Sequence, residues 1–136
     1  MPALTSIQLR NLTTAARKAA GKAYAPYSKF RVGAAVLTGT GRIFVGCNVE
    51  NASYGLCNCA ERTAIFNAVA AGQKVLRAIV VYTPTSTPTP PCGACRQVIS
   101  EFGPDARIIC TCDSPKVIDA SLGELLPHAF GTEDMQ

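Results

Sequence analysis

The chain has 136 residues, 48% of them hydrophobic and 16% charged, with a net charge of +4. That apolar fraction excludes a disordered chain, and the length suits a single domain, residues 1–136, with one core. No apolar run reaches the roughly 18 residues a membrane span needs, and the first five residues lack the basic start and apolar stretch of an export signal, so a cytoplasmic location is expected.

Seven cysteines is a high count for this length, and the number is odd. In a reducing compartment such thiols serve as metal ligands or small buried side chains rather than disulfides. The charge is unevenly spread. Arg10, Arg17, Lys18, Lys22, Lys29, Arg31 and Arg42 face no acid before Glu50. They are spaced out, as on a solvated helix face and in loops, so no nucleic-acid partner is expected.

Thr5 and Gln8 form a capping box, and Leu9, Leu12, Ala16, Ala19 and Ala23 follow at helical spacing, which predicts a helix over 6–22. Val32–Leu37 is an apolar run short enough for a strand buried on both faces. A Thr-Gly-Thr-Gly turn and a second strand, Ile43–Cys47, complete a hairpin. Residues 48–58 read as polar and irregular. From Cys59, the residues Ala60, Ala64, Ile65, Ala68 and Val69 keep one helical face apolar until Gly72. Ala78–Tyr82 is a third strand, followed by a Pro/Thr-rich loop over 83–91. A third helix starts near Cys92 and ends near Gly103. Arg107–Cys112 and Val117–Ala120 are further strands, and Ser121 with Glu124 opens a short helix. Strands alternating with helices predict an α/β fold, a three-layer α/β/α arrangement around a central mixed five-stranded sheet.

Chemistry concentrates in Cys59-Ala60-Glu61 and Pro91-Cys92-Gly93-Ala94-Cys95. Three thiols can hold one Zn²⁺ and leave its fourth position for water, which is hydrolytic chemistry. Cys59 and Cys92 both fall where the chain enters a helix, and a helix N-terminus favours thiolates. Three thiolates leave the centre with an excess negative charge, which Arg62 or Arg96 can offset by donating to sulfur. Glu61 fits a proton shuttle whose pKa is raised by a water-poor pocket. Two other readings stand beside this one. Cys57, Cys59, Cys92 and Cys95 also suit a closed structural zinc site, and Cys92 with Cys95 suits a dithiol redox site. Cys47, Cys110 and Cys112 read as small buried side chains, and His128 as a surface residue.

From Ala23 to about Asp134 the chain resembles the small homotetrameric cytidine deaminases, whose zinc sites share this Cys/His and Glu pattern. The matching stretches are Tyr24–Phe30, Val32–Ala35, Gly46–Ala52, Cys59–Ala64, Pro91–Gln97 and Leu125–Phe130. The resemblance implies one Zn²⁺ per chain on Cys59, Cys92 and Cys95. Zinc-bound hydroxide would attack C4 of cytidine or 2′-deoxycytidine while Glu61 shuttles protons, giving uridine or 2′-deoxyuridine and ammonia in pyrimidine salvage. It implies that Arg62 hydrogen-bonds the thiolates, that Asn48 and Glu50 hold the ribose, and that Tyr54 lies near the 5′-hydroxyl. Phe30 would pack in the pyrimidine pocket, and Ala60 would offer its backbone N–H to the base carbonyl. Phe130 would lie against the base in a neighbouring subunit, so that active sites are shared in the homotetramer. The Asn48–Asn51 stretch is missing from the blasticidin-type deaminases, and deoxycytidylate and nucleic-acid deaminases carry His where this chain has Cys59. Both differences point to a free nucleoside. The loop 84–90 departs from the family's usual sequence, with an expected effect on local rigidity and not on chemistry.

Overall fold

The computed structural model describes residues 3–136, so Met1 and Pro2 of the N-terminal stretch lie outside the described residues. Helix α1 is Ser6–Ala20, opened by Thr5, whose side chain accepts from the Gln8 N–H while the Gln8 side chain accepts from the Thr5 N–H. It ends two residues earlier than its periodicity suggests, at Gly21. Strands β1 (Gly33–Thr38) and β2 (Ile43–Cys47) form the expected hairpin. Helix α2 is Ala60–Ala70, β3 is Leu76–Tyr82 and α3 is Gly93–Phe102. Strand β4 is Arg107–Thr111, β5 is Ile118–Ser121 and the short α4 is Leu122–Leu125, opened by the Ser121–Glu124 capping box. Single 3₁₀ turns at Tyr54–Leu56 and Thr132–Met135 are additions that the periodicity did not signal.

The five strands form one mixed sheet in the order β2-β1-β3-β4-β5. Only β3 and β4 are parallel, and α3 is the crossover that a parallel pair needs. Side-chain alternation sends each strand's residues to two faces. Ala35, Leu37, Ala78, Val80, Tyr82 and Ile109 meet Leu12, Ala16 and Ala20 of α1 on one face. Ala34, Val36, Ile79, Val81, Ile108 and Cys110 meet α2, α3 and Leu122 on the other. The architecture is therefore the expected α/β/α sandwich, and both faces of the central strands are dry, which explains their unbroken apolar runs.

Two glycines set how closely the layers approach. A Cβ at Gly33 would lie 1.9 Å from the Ala16 carbonyl oxygen of α1. A Cβ at Gly46 would lie 2.3 Å from the Ala64 nitrogen and 2.7 Å from the Ala60 oxygen of α2. Both helices thus rest on bare backbone, and α2 in particular is seated by β2 at the turn that carries the candidate site. Among the described residues no helix is long and apolar enough to cross a membrane.

Candidate active site

The site lies where β3 ends and where α2 and α3 begin. Cys59 caps α2 and Cys92 caps α3, so two helix N-termini with their unpaired N–H groups point at one place. The segment before α2 is held by bridges from Tyr24 to Val49 and from Val49 to Asn58. Asn58 then donates to the Thr63 hydroxyl, which in turn bonds the Cys59 carbonyl, fixing the first turn. The segment before α3 is held by Arg96, which donates to the Pro91 carbonyl at 2.8 Å and to the Leu125 carbonyl at 2.8 Å.

These constraints bring the sulfurs of Cys59, Cys92 and Cys95 within 4.8 Å of one another. The Cys59–Cys92 separation is 3.8 Å and the Cys92–Cys95 separation is 3.5 Å. Tetrahedral zinc with Zn–S bonds of about 2.3 Å sets its sulfurs about 3.8 Å apart, so the donor set and its spacing fit that metal. Arg62 donates to the Cys59 sulfur at 3.3 Å. Arg96, the other candidate, spends its guanidinium on backbone carbonyls and makes no such bond among the described residues.

Without metal the cluster already favours one thiolate. The Cys59 thiol is pulled down to about 5, chiefly by a hydrogen bond from the Cys95 thiol and then by Arg62, against the cost of burial. The Cys95 thiol is pushed up because it supplies that proton. Arg62 is held charged more firmly than usual by the sulfur it faces. Glu61 is 5% exposed, and its carboxyl is raised to about 7, first by burial and then by the negative Cys59 sulfur.

A cavity of about 250 Å³ joins these groups to the expected substrate residues. Phe30, Asn48, Glu50, Ala60 and Glu61 all line it, with Cys59 and Cys92. Ala60 is the first residue of α2, where an N–H has no intrahelical acceptor. Glu50 accepts the backbone N–H groups of Tyr27 and Ser28 at 2.9 and 3.1 Å and a bond from the Ser28 hydroxyl. These bonds, led by the one from the Ser28 side chain, lower its pKa and hold it ionised. The Asn48 amide accepts from the Val32 N–H and donates to the Phe30 carbonyl, so it shapes the wall as well as facing the cavity.

Three of the residues singled out in the sequence stand apart from the three-sulfur group. Tyr54 does not line this cavity. It stands edge-on to Tyr27, with ring centroids 5.9 Å apart, in an adjoining cavity that shares Ser28, Glu50 and Cys57. Phe130 is 60% exposed and borders a different hollow, beside Gln97, which donates to its carbonyl. Cys57 lies outside the three-sulfur group and exchanges hydrogen bonds with the Asn51 backbone, which leaves the four-thiolate site without its fourth ligand. The dithiol reading fails to account for Cys59, which sits in the same cluster. Cys110 and Cys112 are buried as expected, whereas Cys47 is only half-buried at the rim of a hollow beside α1. His128 is exposed. Ser28, Thr89 and Pro90 line the site without having been singled out. Ser28 belongs to the matched Tyr24–Phe30 stretch, while the Pro/Thr loop carried no periodic or charge signal.

Comparison with known proteins agrees with this geometry. The sequence profile described as cytidine and deoxycytidylate deaminase zinc-binding region matches residues 6–112. The chain is 50% identical over 114 residues to the cytidine deaminase of Halalkalibacterium halodurans, covering 83% of this chain and 86% of that one. It is 44% identical over 130 residues to the cytidine deaminase of Sporosarcina psychrophila, covering 95% and 96%. The crystal structure of cytidine deaminase from Burkholderia pseudomallei superposes with a TM-score of 0.86 at 53% identity, covering 93% of this chain and 100% of that one. Sequence and fold thus agree, and the chain is an enzyme of the zinc-binding cytidine and deoxycytidylate deaminase family.

Proposed function

We propose that this enzyme deaminates cytidine and 2′-deoxycytidine hydrolytically to uridine and 2′-deoxyuridine, releasing ammonia, in pyrimidine salvage in the cytoplasm. The observation that carries this reading is a buried carboxyl, Glu61, beside a three-thiol group in a cavity whose polar lining also includes Asn48 and an ionised Glu50.

Cys59, Cys92 and Cys95 hold the zinc, with Arg62 steadying the Cys59 sulfur. When bound, zinc lowers the pKa of a water molecule and so supplies a nucleophile at neutral pH. Glu61 takes a proton from the attacking water and delivers it to N3 of the base, which makes C4 more electrophilic. The C4 centre then carries a hydroxyl and an amino group. Glu61 moves the hydroxyl proton to the amino nitrogen, the C4–N4 bond breaks, and ammonia leaves. The raised pKa of Glu61 suits a group that must both accept and donate near neutrality. The N–H of Ala60 orients the base through its carbonyl, and Phe30 packs against the ring. Glu50 and Asn48 take the ribose hydroxyls, with the Ser28 and Tyr27 bonds keeping the Glu50 carboxylate aimed. Tyr54 faces the 5′ end from the adjoining cavity. Phe130, turned away from its own chain's site, completes a neighbour's site in a homotetramer.

The test is ultraviolet absorbance of cytidine and of 2′-deoxycytidine with purified protein, alongside zinc per chain. Loss of the cytidine band with about one zinc per chain is expected. Bound zinc without any spectral change would overturn the substrate assignment.

A further inference from the structure

The stretch between β3 and α3, Thr83 to Pro91, has no part in the chemistry described so far, yet Thr89 and Pro90 line the same cavity as Glu61 and Cys92. At its root sits Thr83, a polar residue with 0% exposure. Along β3, Val81 faces the cavity side of the sheet, and Thr83, two residues on, continues that direction. Its hydroxyl lies 2.8 Å from the Thr85 hydroxyl and 3.4 Å from the Thr89 hydroxyl.

The directions of these bonds follow from proton counting. A threonine hydroxyl has one hydrogen. Thr85 gives its hydrogen to the Thr87 carbonyl at 2.7 Å. Thr83 must therefore donate to Thr85, and its own oxygen is left to accept from Thr89. The loop is also stapled from outside, because the Asp113 N–H donates to the Thr85 carbonyl and the Ser114 hydroxyl donates to the Ser86 carbonyl, each at 2.8 Å. A stretch with four prolines and no regular structure is thus fixed from a single buried hydroxyl and two backbone staples.

We infer that Thr83 is a positioning residue that, through Thr85 and Thr89, fixes the cavity wall facing C5 of the pyrimidine and so limits the size of a 5-substituent. The inference rests on the cytidine reading above. With C4 at the three sulfurs and N3 toward Glu61 at the start of α2, C5 lies on the opposite side of the ring. That is the side of the other helix start, preceded by Thr89 and Pro90. A wall held by hydrogen bonds excludes a methyl group; a loosened one yields to it. A single methyl in a fitted pocket is worth about tenfold or more in discrimination.

The experiment compares kcat/KM for cytidine and 5-methylcytidine in the unaltered enzyme, Thr83→Val, Thr83→Ser and Thr85→Val, with zinc content and melting temperature measured for each. Thr83→Val keeps the shape and removes the hydroxyl, and Thr85→Val breaks the same bond at a half-buried position should the first variant fold poorly. The unaltered enzyme is expected to prefer cytidine by about tenfold or more. Thr83→Val and Thr85→Val should each cut that preference by at least about fivefold with zinc retained, and Thr83→Ser should restore it. An unchanged preference in both valine variants, a parallel loss of both activities, or equal turnover of the two nucleosides by the unaltered enzyme would overturn the inference. Failure of the unaltered enzyme on cytidine itself would instead overturn the substrate assignment, and this inference with it.

Discussion

In the proposed mechanism Glu61 exchanges protons from a place that water barely reaches. Removing its carboxylate while keeping its shape isolates that role. Glu61→Gln is expected to retain zinc and lose turnover by at least about a hundredfold, measured by steady-state kinetics beside a metal assay. The same variant reports the pKa shift. In the folded metal-free protein Glu61 keeps its proton up to about pH 7, against 4.5 for an ordinary glutamate. Its burial therefore carries no ionisation penalty below pH 4.5, and stability is lost as pH rises from there through about 7. The loss is about 3 kcal/mol. Metal-free Glu61→Gln should accordingly melt higher than the parent at pH 8 and match it near pH 4. Cys57→Ala should leave zinc per chain unchanged, because that sulfur is occupied with Asn51 and lies outside the three-sulfur group. Loss of the metal would revive the four-thiolate site.

At the scale of elements, the site depends on how closely α2 rests on β2. Gly46 permits that approach, since any Cβ there would overlap the backbone of Ala60 and Ala64. Gly46→Ala must lift the first turn of α2, and with it Cys59, Ala60 and Glu61. A destabilisation of about 3 kcal/mol or more is expected by denaturant unfolding, with loss of zinc at the same time. A variant that kept its zinc and its stability would show that β2 does not seat the helix. Arg96 plays a comparable part for α3. It ties the residue before Cys92 to the end of α4, and Gln97 ties the next turn to Phe130. One helix start is thus fixed by missing bulk and the other by a guanidinium.

At the scale of the whole molecule, a single chain leaves Tyr24, Tyr54, Phe66 and Phe130 exposed. Large apolar side chains mark a contact surface where they form a contiguous patch. In the proposed homotetramer Phe130, tethered by its carbonyl and 60% exposed, is held in place by its own chain. Light scattering is expected to give the mass of four chains. Phe130→Ala should raise KM for cytidine with zinc per chain unchanged; a monomeric enzyme of full activity would refute shared sites.

The periodicity of α1 and α2, the unbroken apolar strands and both capping boxes were legible in the sequence because each depends on neighbours three or four positions away, or on burial that local composition already reports. The metal cluster was legible for a similar reason: Cys92 and Cys95 stand one helical turn apart, and Cys59 is marked by Glu61 beside it. Other assignments needed the fold. By residue type and spacing Arg62 and Arg96 are equivalent, and the family resemblance alone singled out Arg62. The path of the chain through Pro91 and Leu125 shows the physical reason, because it takes the Arg96 guanidinium to backbone carbonyls. Cys57 is two residues from a cluster cysteine, yet the turn at Tyr54–Leu56 directs it to Asn51. Thr83 is one threonine of four in its loop, and nothing local separates it from the others. Its place is set by β4, whose Thr111 carbonyl accepts its N–H, and by the folding back of Thr85 and Thr89 onto its hydroxyl. Local order follows from the chain's own covalent neighbours, whereas the partner of a long side chain or a lone hydroxyl depends on segments distant in sequence, so tertiary structure alone decides it.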